Sequence, residues 1–205
     1  MRVGDRVRCV DFPCVDVNKE AYIIPNIILD PQAIRAMVVS EAAPQKASDN
    51  YYSGGSSLFE ETTVQAFRDA GLDVRTLGEL VERGFYFTTA VKCGKVGYGV
   101  GSDSIRACSR LLEEEFKLFP QLKVVMLMGD VAIKAFNDLV RSRGGKRVIP
   151  AGSTYKIRGT PYYYGGIRTF PSYLQAGPSF LIEKSKRRMI GEDIREALRI
   201  LDVKD

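Results

Sequence analysis

Four cysteines are the side chains of this sequence best suited to chemistry, since no histidine is present. They are Cys9, Cys14, Cys93 and Cys108, spaced C-x4-C and then, after a long gap, C-x14-C. Four thiolates form a ligand set for zinc or for a [4Fe-4S] cluster. Neither pair has the C-x2-C spacing of a zinc ribbon, so zinc is the weaker of the two. Four unrelated buried thiols are the remaining alternative, because free cysteine is a common core residue.

The composition is that of a folded globular protein. The 205 residues are 45% hydrophobic and 27% charged, and they predict a single domain, 1–205, whose segment 1–35 carries the first two cysteines. No apolar run reaches the length of a membrane span, and the N-terminus lacks the apolar core of a secretory signal, so we expect a cytoplasmic protein.

The net charge of +5 is compatible with a polyanionic partner. Basic residues concentrate in 141–147 and 183–188, where solvated faces and anion contacts are both open interpretations.

Hydrophobic periodicity and capping signals predict helices that alternate with strands. The helices are predicted over 56–71, 76–84, 102–119, 130–142 and 184–201. Ser56 or Ser57 is the expected N-cap of the first, Thr76 and Glu79 form a capping box for the second, and Asp130 caps the fourth. Apolar, aromatic or β-branched runs predict strands over 36–40, 85–92, 123–129, 153–157 and 161–170, the last with a Gly-Gly turn.

This alternation favours an α/β fold with a largely parallel sheet that is covered on both faces. Ligands of such folds bind at the carboxyl ends of the strands. In this sequence the predicted strand ends are Ser40–Pro44, Thr89–Cys93, Gly129–Asp130 and Phe170–Leu174.

Four segments follow one another along the chain in an informative order. They are "VVSEAAPQ", "FYFTTAVKC" with a later cysteine, "VVMLMGDVAIKAF", and "YKIRGTPYYYGGIRTFPSYLQ" before the basic helix "EKSKRRMIGEDIREAL". Together they resemble the uracil-DNA glycosylase superfamily, and most closely its iron–sulfur (family 4) branch, whose motifs run roughly GEAPG, TNVVKC…C, VxLGxxAxKAL and TYHPSYLLR. The resemblance covers most of residues 36–201. It implies a three-layer αβα sandwich with a central, mainly parallel four-stranded sheet, a [4Fe-4S] cluster held by the four cysteines, and extrusion of a damaged base into a pocket.

The same resemblance implies roles for individual residues. Glu41 and Asp49 take the catalytic positions, which orient the base or the attacking water; a turn or capping carboxylate is the alternative for each. The implied base-pocket residues are Ala42, Tyr51, Tyr52, Thr89 and Phe170. One of the two tyrosines would stack on the flipped base. The implied DNA contacts are Ser172, Leu174, Lys184, Lys186 and Arg187. Leu174 would be the apolar wedge that enters the duplex, although core packing also explains a leucine there.

Three departures from the family motifs fall on the positions that select and activate uracil. Phe170 stands where the family has a histidine that stabilises the departing base anion, and phenylalanine has no donor for that task. Thr89 replaces an asparagine whose donor and acceptor read the uracil edge. The segment "SEAAPQ" is one residue longer than GEAPG and ends in Gln45. The first cysteine pair is also wider than the usual C-x2-C, which makes Cys9 the least typical ligand.

Two functions from different classes follow from these residues. The first is a monofunctional DNA glycosylase of base excision repair that acts on uracil or, given the departures, on another damaged base. The second is a catalytically silent member of the superfamily that binds nucleic acid. In both cases we expect a monomer with DNA as its partner and no membrane contact. A nucleotide-binding protein unrelated to repair is a weaker interpretation, because the loop "GKVGYGVGS" lacks a Walker pattern.

Overall fold

The structure, a computed structural model, describes residues 1–54, 57–97 and 99–203. Within these ranges the strands are β1 Val17–Asn18, β2 Ala36–Ala43, β3 Phe85–Lys95, β4 Val124–Met128, β5 Tyr162–Tyr164 and β6 Ile167–Ser172. They form one sheet in the order β1-β3-β2-β4-β6-β5. The inner strands β3, β2, β4 and β6 are parallel, whereas β1 and β5 pair antiparallel at the two edges.

The predicted parallel sheet is confirmed, and two short edge strands extend it from four strands to six. β5 and β6 form the hairpin expected from the Gly-Gly pair, where Gly165 and Gly166 have φ angles of +56° and +84°. Positive φ at both central residues is what a tight two-residue hairpin turn requires. β1 has two residues and depends on the pairing of Val17 with Lys95, so no local sequence pattern indicates it.

Helices surround the sheet. In the described part of the chain they are α1 Leu58–Asp69, α2 Leu77–Glu82, α3 Ser102–Lys117, α4 Asp130–Ser142, α5 Thr154–Ile157, α6 Ser179–Ile182 and α7 Lys184–Leu201. Ser57 caps α1 by accepting a hydrogen bond from the Glu60 N–H, while Ser56 lies outside the described residues. Thr76 caps α2 as predicted. The cap position of α4 belongs to Gly129, and Asp130 is the first helical residue.

The prediction of a strand over 153–157 is wrong, because this segment is the short helix α5. Thr154 and Ile157 are its buried residues, three positions apart. That spacing places them on one face of a helix turn, whereas a strand would send them to opposite faces. Five residues with two β-branched side chains are too few for propensity to decide between the two structures.

The layers form a three-layer αβα sandwich, as predicted. On β2 the neighbouring residues Met37 and Val38 belong to opposite cores. The Met37 side packs against α3 and α4, and the Val38 side packs against α1, α2 and α7. Burial on both faces explains why the inner strands are continuously apolar. Among the described residues, no helix is both long and apolar enough to cross a lipid bilayer.

Candidate functional site

The carboxyl ends of the parallel strands border two adjoining cavities. The large cavity, of about 440 Å³, lies between the end of β2, the start of α1 and the segment that leads into α6. The small cavity, of about 330 Å³, lies between the start of α4 and the α6–α7 region. Glu41, Leu174 and Ser179 line both cavities. Both volumes fall within the lower range of small-ligand sites, and the location agrees with the strand ends predicted from the sequence.

Glu41 lies at the junction of the two cavities, near the end of β2. Its Oε1 accepts a 3.4 Å hydrogen bond from the Val131 N–H in the first turn of α4, where the helix dipole favours a negative charge. Gly129 precedes this helix with a φ of +105°, and a Cβ atom there would lie 2.6 Å from Glu41 Oε1. The carboxylate can therefore approach the helix only because residue 129 is glycine.

The large cavity brings both predicted catalytic carboxylates together. Asp49 and Ala42 line it together with Glu41, as expected for residues of one site. Sequence reasoning missed Lys95, which lines the same cavity and places its Nζ 3.9 Å from Glu41 Oε2. The sequence feature that could have indicated Lys95 is its position just after the strand predicted over 85–92. One ammonium group thus accompanies two carboxylates in this cavity.

The structure brings neither Tyr51 nor Tyr52 to a cavity. The Tyr51 hydroxyl is buried 2.6 Å from Ser40 Oγ, and it accepts a 2.8 Å hydrogen bond from Gln175 Nε2. Burial raises the pKa of Tyr51 to about 12. The Tyr52 hydroxyl accepts a 2.9 Å hydrogen bond from the Phe87 N–H. Both tyrosines are core residues behind the site, so the predicted stacking on a base has no counterpart here.

Phe59 supplies the aromatic surface that sequence reasoning sought in the tyrosines. Among the described residues that line the large cavity, Phe59 is the single aromatic residue. Its ring packs edge-on against the Tyr51 ring, with centroids 5.3 Å apart. Tyr51 therefore supports Phe59 from behind. The position of Phe59 in this cavity leaves no trace in the family motifs and follows from tertiary packing alone.

Thr89 and Phe170 are buried in the sheet and line neither cavity. The Thr89 carbonyl accepts a 2.6 Å hydrogen bond from Lys92 Nζ. Phe170 pairs with Met126 in β4, and the Arg168 guanidinium lies 3.9 Å from the centroid of its ring. These contacts give both residues a structural role. The predicted base-pocket assignments of Thr89 and Phe170 are therefore without support from their positions.

Two predicted DNA contacts are engaged inside the protein instead. Ser172 is fully buried and donates a 2.5 Å hydrogen bond to Asp193 Oδ2. Arg187 forms an ion pair with Asp69 and donates a 2.8 Å hydrogen bond from Nη2 to Oδ1. This pair ties α7 to α1 and lowers the pKa of Asp69. Ser172 is therefore out of reach of a phosphate, whereas the half-buried Arg187 has two of its guanidinium nitrogens engaged by Asp69.

The other three predicted contacts face the site or solvent. Leu174 is half-buried and lines both cavities, which is the position that a wedge beside a base pocket needs. Lys186 lines the small cavity and pairs with Glu183 at 2.5 Å. Lys184 is exposed at the start of α7. Leu174 and Lys186 thus border the site, Lys184 lies two residues before Lys186 on α7, and their contacts with DNA stay predictions.

The four cysteines converge on one region beside α3. Cys14, Cys93 and Cys108 are buried, and Cys9 is half-buried. Burial raises the pKa of Cys93 to about 12, and the charges of Cys108, Cys14 and Cys9 add to this effect. Burial likewise raises the pKa of Cys108 to about 11. The four thiols therefore lie near enough to influence one another electrostatically, as a shared site requires.

A bulge places Cys93 out of the regular ladder. Ala42 of β2 pairs with Val91 of β3, but the next residue, Ala43, pairs with Gly94, so the intervening residues of β3 are not matched. A bulge re-aims the side chains of the bulged strand. Here the unmatched residues are Lys92 and Cys93.

Buried polar contacts hold the cysteine-bearing segments against one another. Lys92 and Glu115 form an ion pair at 2.5 Å with both side chains at 0% exposure, which links β3 to α3. Thr88 and Tyr86 donate further hydrogen bonds to Glu115. Asp16, two residues after Cys14, accepts hydrogen bonds from the Gly101 N–H and the Ser104 hydroxyl at the start of α3.

The four thiols have the ligand chemistry of an iron–sulfur cluster, which stays a prediction. Among the described residues, no group of three or more His, Cys, Asp or Glu side chains has the arrangement of a site for one metal ion. A [4Fe-4S] cluster makes a different demand, because each of its four thiolates binds a different iron atom. Three buried thiols and the half-buried Cys9, in a chain without histidine, have the softness that iron requires of its ligands.

Fold and site together define an α/β sandwich with a carboxylate-lined cavity at the carboxyl ends of its parallel strands. The family model described as the uracil DNA glycosylase superfamily matches residues 28–197, and the chain belongs to this superfamily. A search of the curated proteins finds no match. The superfamily prediction is thereby confirmed, whereas its iron–sulfur branch stays a prediction. The matched region contains Cys93 and Cys108 but begins after Cys9 and Cys14.

Proposed function

We propose that this protein is a DNA glycosylase that hydrolyses the N-glycosidic bond of a damaged base in base excision repair. The observation that carries the proposal is the placement of Glu41 at the junction of both cavities, with its carboxylate at the start of α4. Superfamily membership supports the same class of reaction on DNA. The damaged base leaves the duplex and enters the large cavity, and damaged bases are the ones that cost least to unpair.

The polar groups of the large cavity suit this hydrolysis. A water molecule attacks C1′ of the deoxyribose, and Glu41 or Asp49 accepts its proton. The electron pair of the glycosidic bond goes to the base, which departs as an anion. Carboxylates also stabilise the positive charge that develops on the sugar. Leu174 fills the space that the base leaves, and Phe59 stacks on the base.

The departing anion needs a positive partner, and Lys95 is the group in this cavity that provides one. The chain has no histidine, and Phe170 offers no donor. Lys95 Nζ lies 3.9 Å from Glu41, on the same cavity as the catalytic carboxylates. The positive charge of this ammonium group stabilises the departing base anion, as the histidine does in the family.

Cys9, Cys14, Cys93 and Cys108 would hold the [4Fe-4S] cluster. When bound, the cluster supplies a structural cross-link between the N-terminal segment, β3 and α3. Zinc at the same thiolates is the less favoured alternative. In either case the residues of the cavity perform the reaction.

A catalytically silent DNA-binding protein is the second candidate. It is favoured by one specific observation, namely that Phe170 and Thr89 are buried and that neither contributes a polar group to the cavity. The base-reading and anion-stabilising groups of the family are then absent from these two positions. Such a protein would bind damaged DNA without releasing the base.

Base release from a panel of lesions separates the two candidates. Oligonucleotides that carry uracil, hypoxanthine, xanthine or a mismatched thymine are incubated with anaerobically purified protein and treated with alkali. Strand cleavage at one lesion supports the glycosylase, and Glu41→Gln should lower its rate by about 100-fold or more without loss of DNA binding. Glu114→Gln, an exposed carboxylate on α3, is the matched control. If the protein binds DNA but none of the four lesions is cleaved, the catalytically silent DNA-binding protein is favoured.

A further inference from the structure

A basic cleft lies on the side of the molecule, between α3 and α4. It has a volume of about 220 Å³. The cations that line it are Arg106 from α3, Lys134 and Arg141 from α4, and Arg147 from the segment after α4. We call these four residues the α3–α4 basic cleft. Lys134 belongs to the motif "VVMLMGDVAIKAF", whereas Arg106, Arg141 and Arg147 lie outside the motifs. None of the four residues lines the cavities at the strand ends.

The cleft is organised by a buried amide. Asn137 of α4 donates a 3.0 Å hydrogen bond from Nδ2 to the Ile149 carbonyl. Its Oδ1 accepts hydrogen bonds of 3.0 Å and 3.1 Å from the N–H groups of Val148 and Ile149. The chain that leaves α4 is thereby fixed to the helix directly after Arg147. The backbone that carries Arg147 is therefore anchored beside α4, which reduces the backbone entropy lost on binding.

The charges of the cleft remain available to a ligand. Arg106 pairs with Asp103 at 3.6 Å, and both side chains are largely exposed. Arg141 pairs with Asp138 at 3.0 Å. Exposed ion pairs of this kind contribute little and exchange partners readily. Four cations against these two carboxylates leave the cleft positive.

The cleft begins one helical turn from the candidate active site. Lys134 follows Asp130, which lines the small cavity, by four residues on α4. Arg141 lies a further seven residues along α4, which is about 10 Å at 1.5 Å per residue. DNA carries its phosphates at shorter axial intervals than this row, so the row is long enough to contact more than one phosphate.

We infer that the α3–α4 basic cleft binds the phosphodiester backbone of DNA beside the target nucleotide. The inference rests on the proposed function and extends the DNA interface from the strand ends to the face of the α3–α4 layer. Long exposed side chains that surround an open cleft suit a flexible polyanion. Such contacts position the duplex and do not read its sequence. The cleft therefore raises affinity equally for damaged and undamaged DNA.

The test is the salt dependence of DNA binding. Binding of a fluorescein-labelled 20-base-pair duplex is followed by anisotropy over a series of salt concentrations. Removal of two phosphate contacts by Lys134→Gln with Arg147→Gln should reduce the slope of log K against log salt by about 1.8. The affinity should fall by a similar factor for duplexes with and without a lesion. Arg68→Gln with Arg75→Gln removes two exposed cations on the opposite side of the sheet and should leave the slope unchanged.

Each other outcome has a definite meaning. An unchanged slope in the cleft variant, while the wild-type protein binds DNA, overturns the cleft and leaves the glycosylase proposal standing. Failure of the wild-type protein to bind DNA at low salt overturns both. Equal losses in the cleft and control variants also overturn the cleft, because net charge alone would then explain them. If the first variant does not fold by circular dichroism, Arg106→Gln with Arg141→Gln tests the same surface.

Discussion

Glu41 and Gly129 are in such close contact that the second residue has no room for a side chain. A Cβ atom on Gly129 would lie 2.6 Å from Glu41 Oε1 and 2.7 Å from its Cγ. The contact joins the end of β2 to the start of α4. It explains how a carboxylate reaches a helix N-terminus at the junction of two cavities. A backbone constraint thus positions the side chain on which the proposed chemistry depends.

Gly129→Ala should displace Glu41 and impair base release. The new methyl group forces the carboxylate away from α4, and a positive φ adds a strain of about 1–3 kcal/mol. Gly144→Ala is the matched control, since Gly144 has a φ of +75° and no atom within 4 Å of the added Cβ. Urea denaturation and base-release rates should show lost stability in both variants but lost activity only in Gly129→Ala. Equal activity in the two variants would contradict the role of this contact.

Lys95→Met should make catalysis more sensitive to the leaving group. Without the ammonium group, release of the base anion depends more on the acidity of the base itself. We expect a loss of about 100-fold for the normal substrate, as for removal of an oxyanion donor. The loss should be smaller for a more acidic analogue, such as 5-fluorouracil in place of uracil. Lys95→Arg should restore much of the rate. Equal losses for both bases would show that Lys95 acts only through structure.

Lys92→Met should destabilise the protein strongly. Glu115 would remain buried without its cation, and breaking a buried ion pair in this way costs about 3–5 kcal/mol. The double variant Lys92→Met with Glu115→Gln should lose less, because the orphaned charge is removed. Arg199→Gln breaks an exposed pair with Glu196 and should cost less than about 1 kcal/mol. Chemical denaturation of all four proteins at equal metal content measures these differences; a loss below 1 kcal/mol in Lys92→Met would refute the expectation.

Anaerobically purified protein should contain about four irons and four sulfides per chain. Cys93→Ser and Cys108→Ser should each lower the iron content strongly, since both residues lie between the sheet and α3. Cys9→Ser is the more informative variant, because Cys9 is half-buried and belongs to the wider first pair. Full iron content in Cys9→Ser would remove Cys9 from the ligand set. One zinc per chain in the wild-type protein, with no iron, would replace the cluster altogether.

Local sequence patterns predicted those features that local interactions create. The bounds of α4 and α7 follow from apolar periodicity, and the structure has them where they were expected. The hairpin of β5 and β6 follows from Gly165 and Gly166, whose conformation few other residues adopt. The short segment of α5 was mispredicted, because so few residues leave the outcome to packing.

The order of the motifs along the sequence was enough to predict the superfamily. The sequence also showed that Phe170 stands at the position of the family's histidine, and so raised the question of which residue stabilises the departing base. Only the tertiary structure decided which side chains meet. Tyr51 and Phe59 are close in sequence, yet Tyr51 turns into the core because Gln175, distant in the chain, hydrogen-bonds its hydroxyl. Lys95 meets Glu41 because β2 and β3 are neighbours in the sheet. Such contacts depend on the pairing of distant segments, and no local pattern in the sequence carries that information.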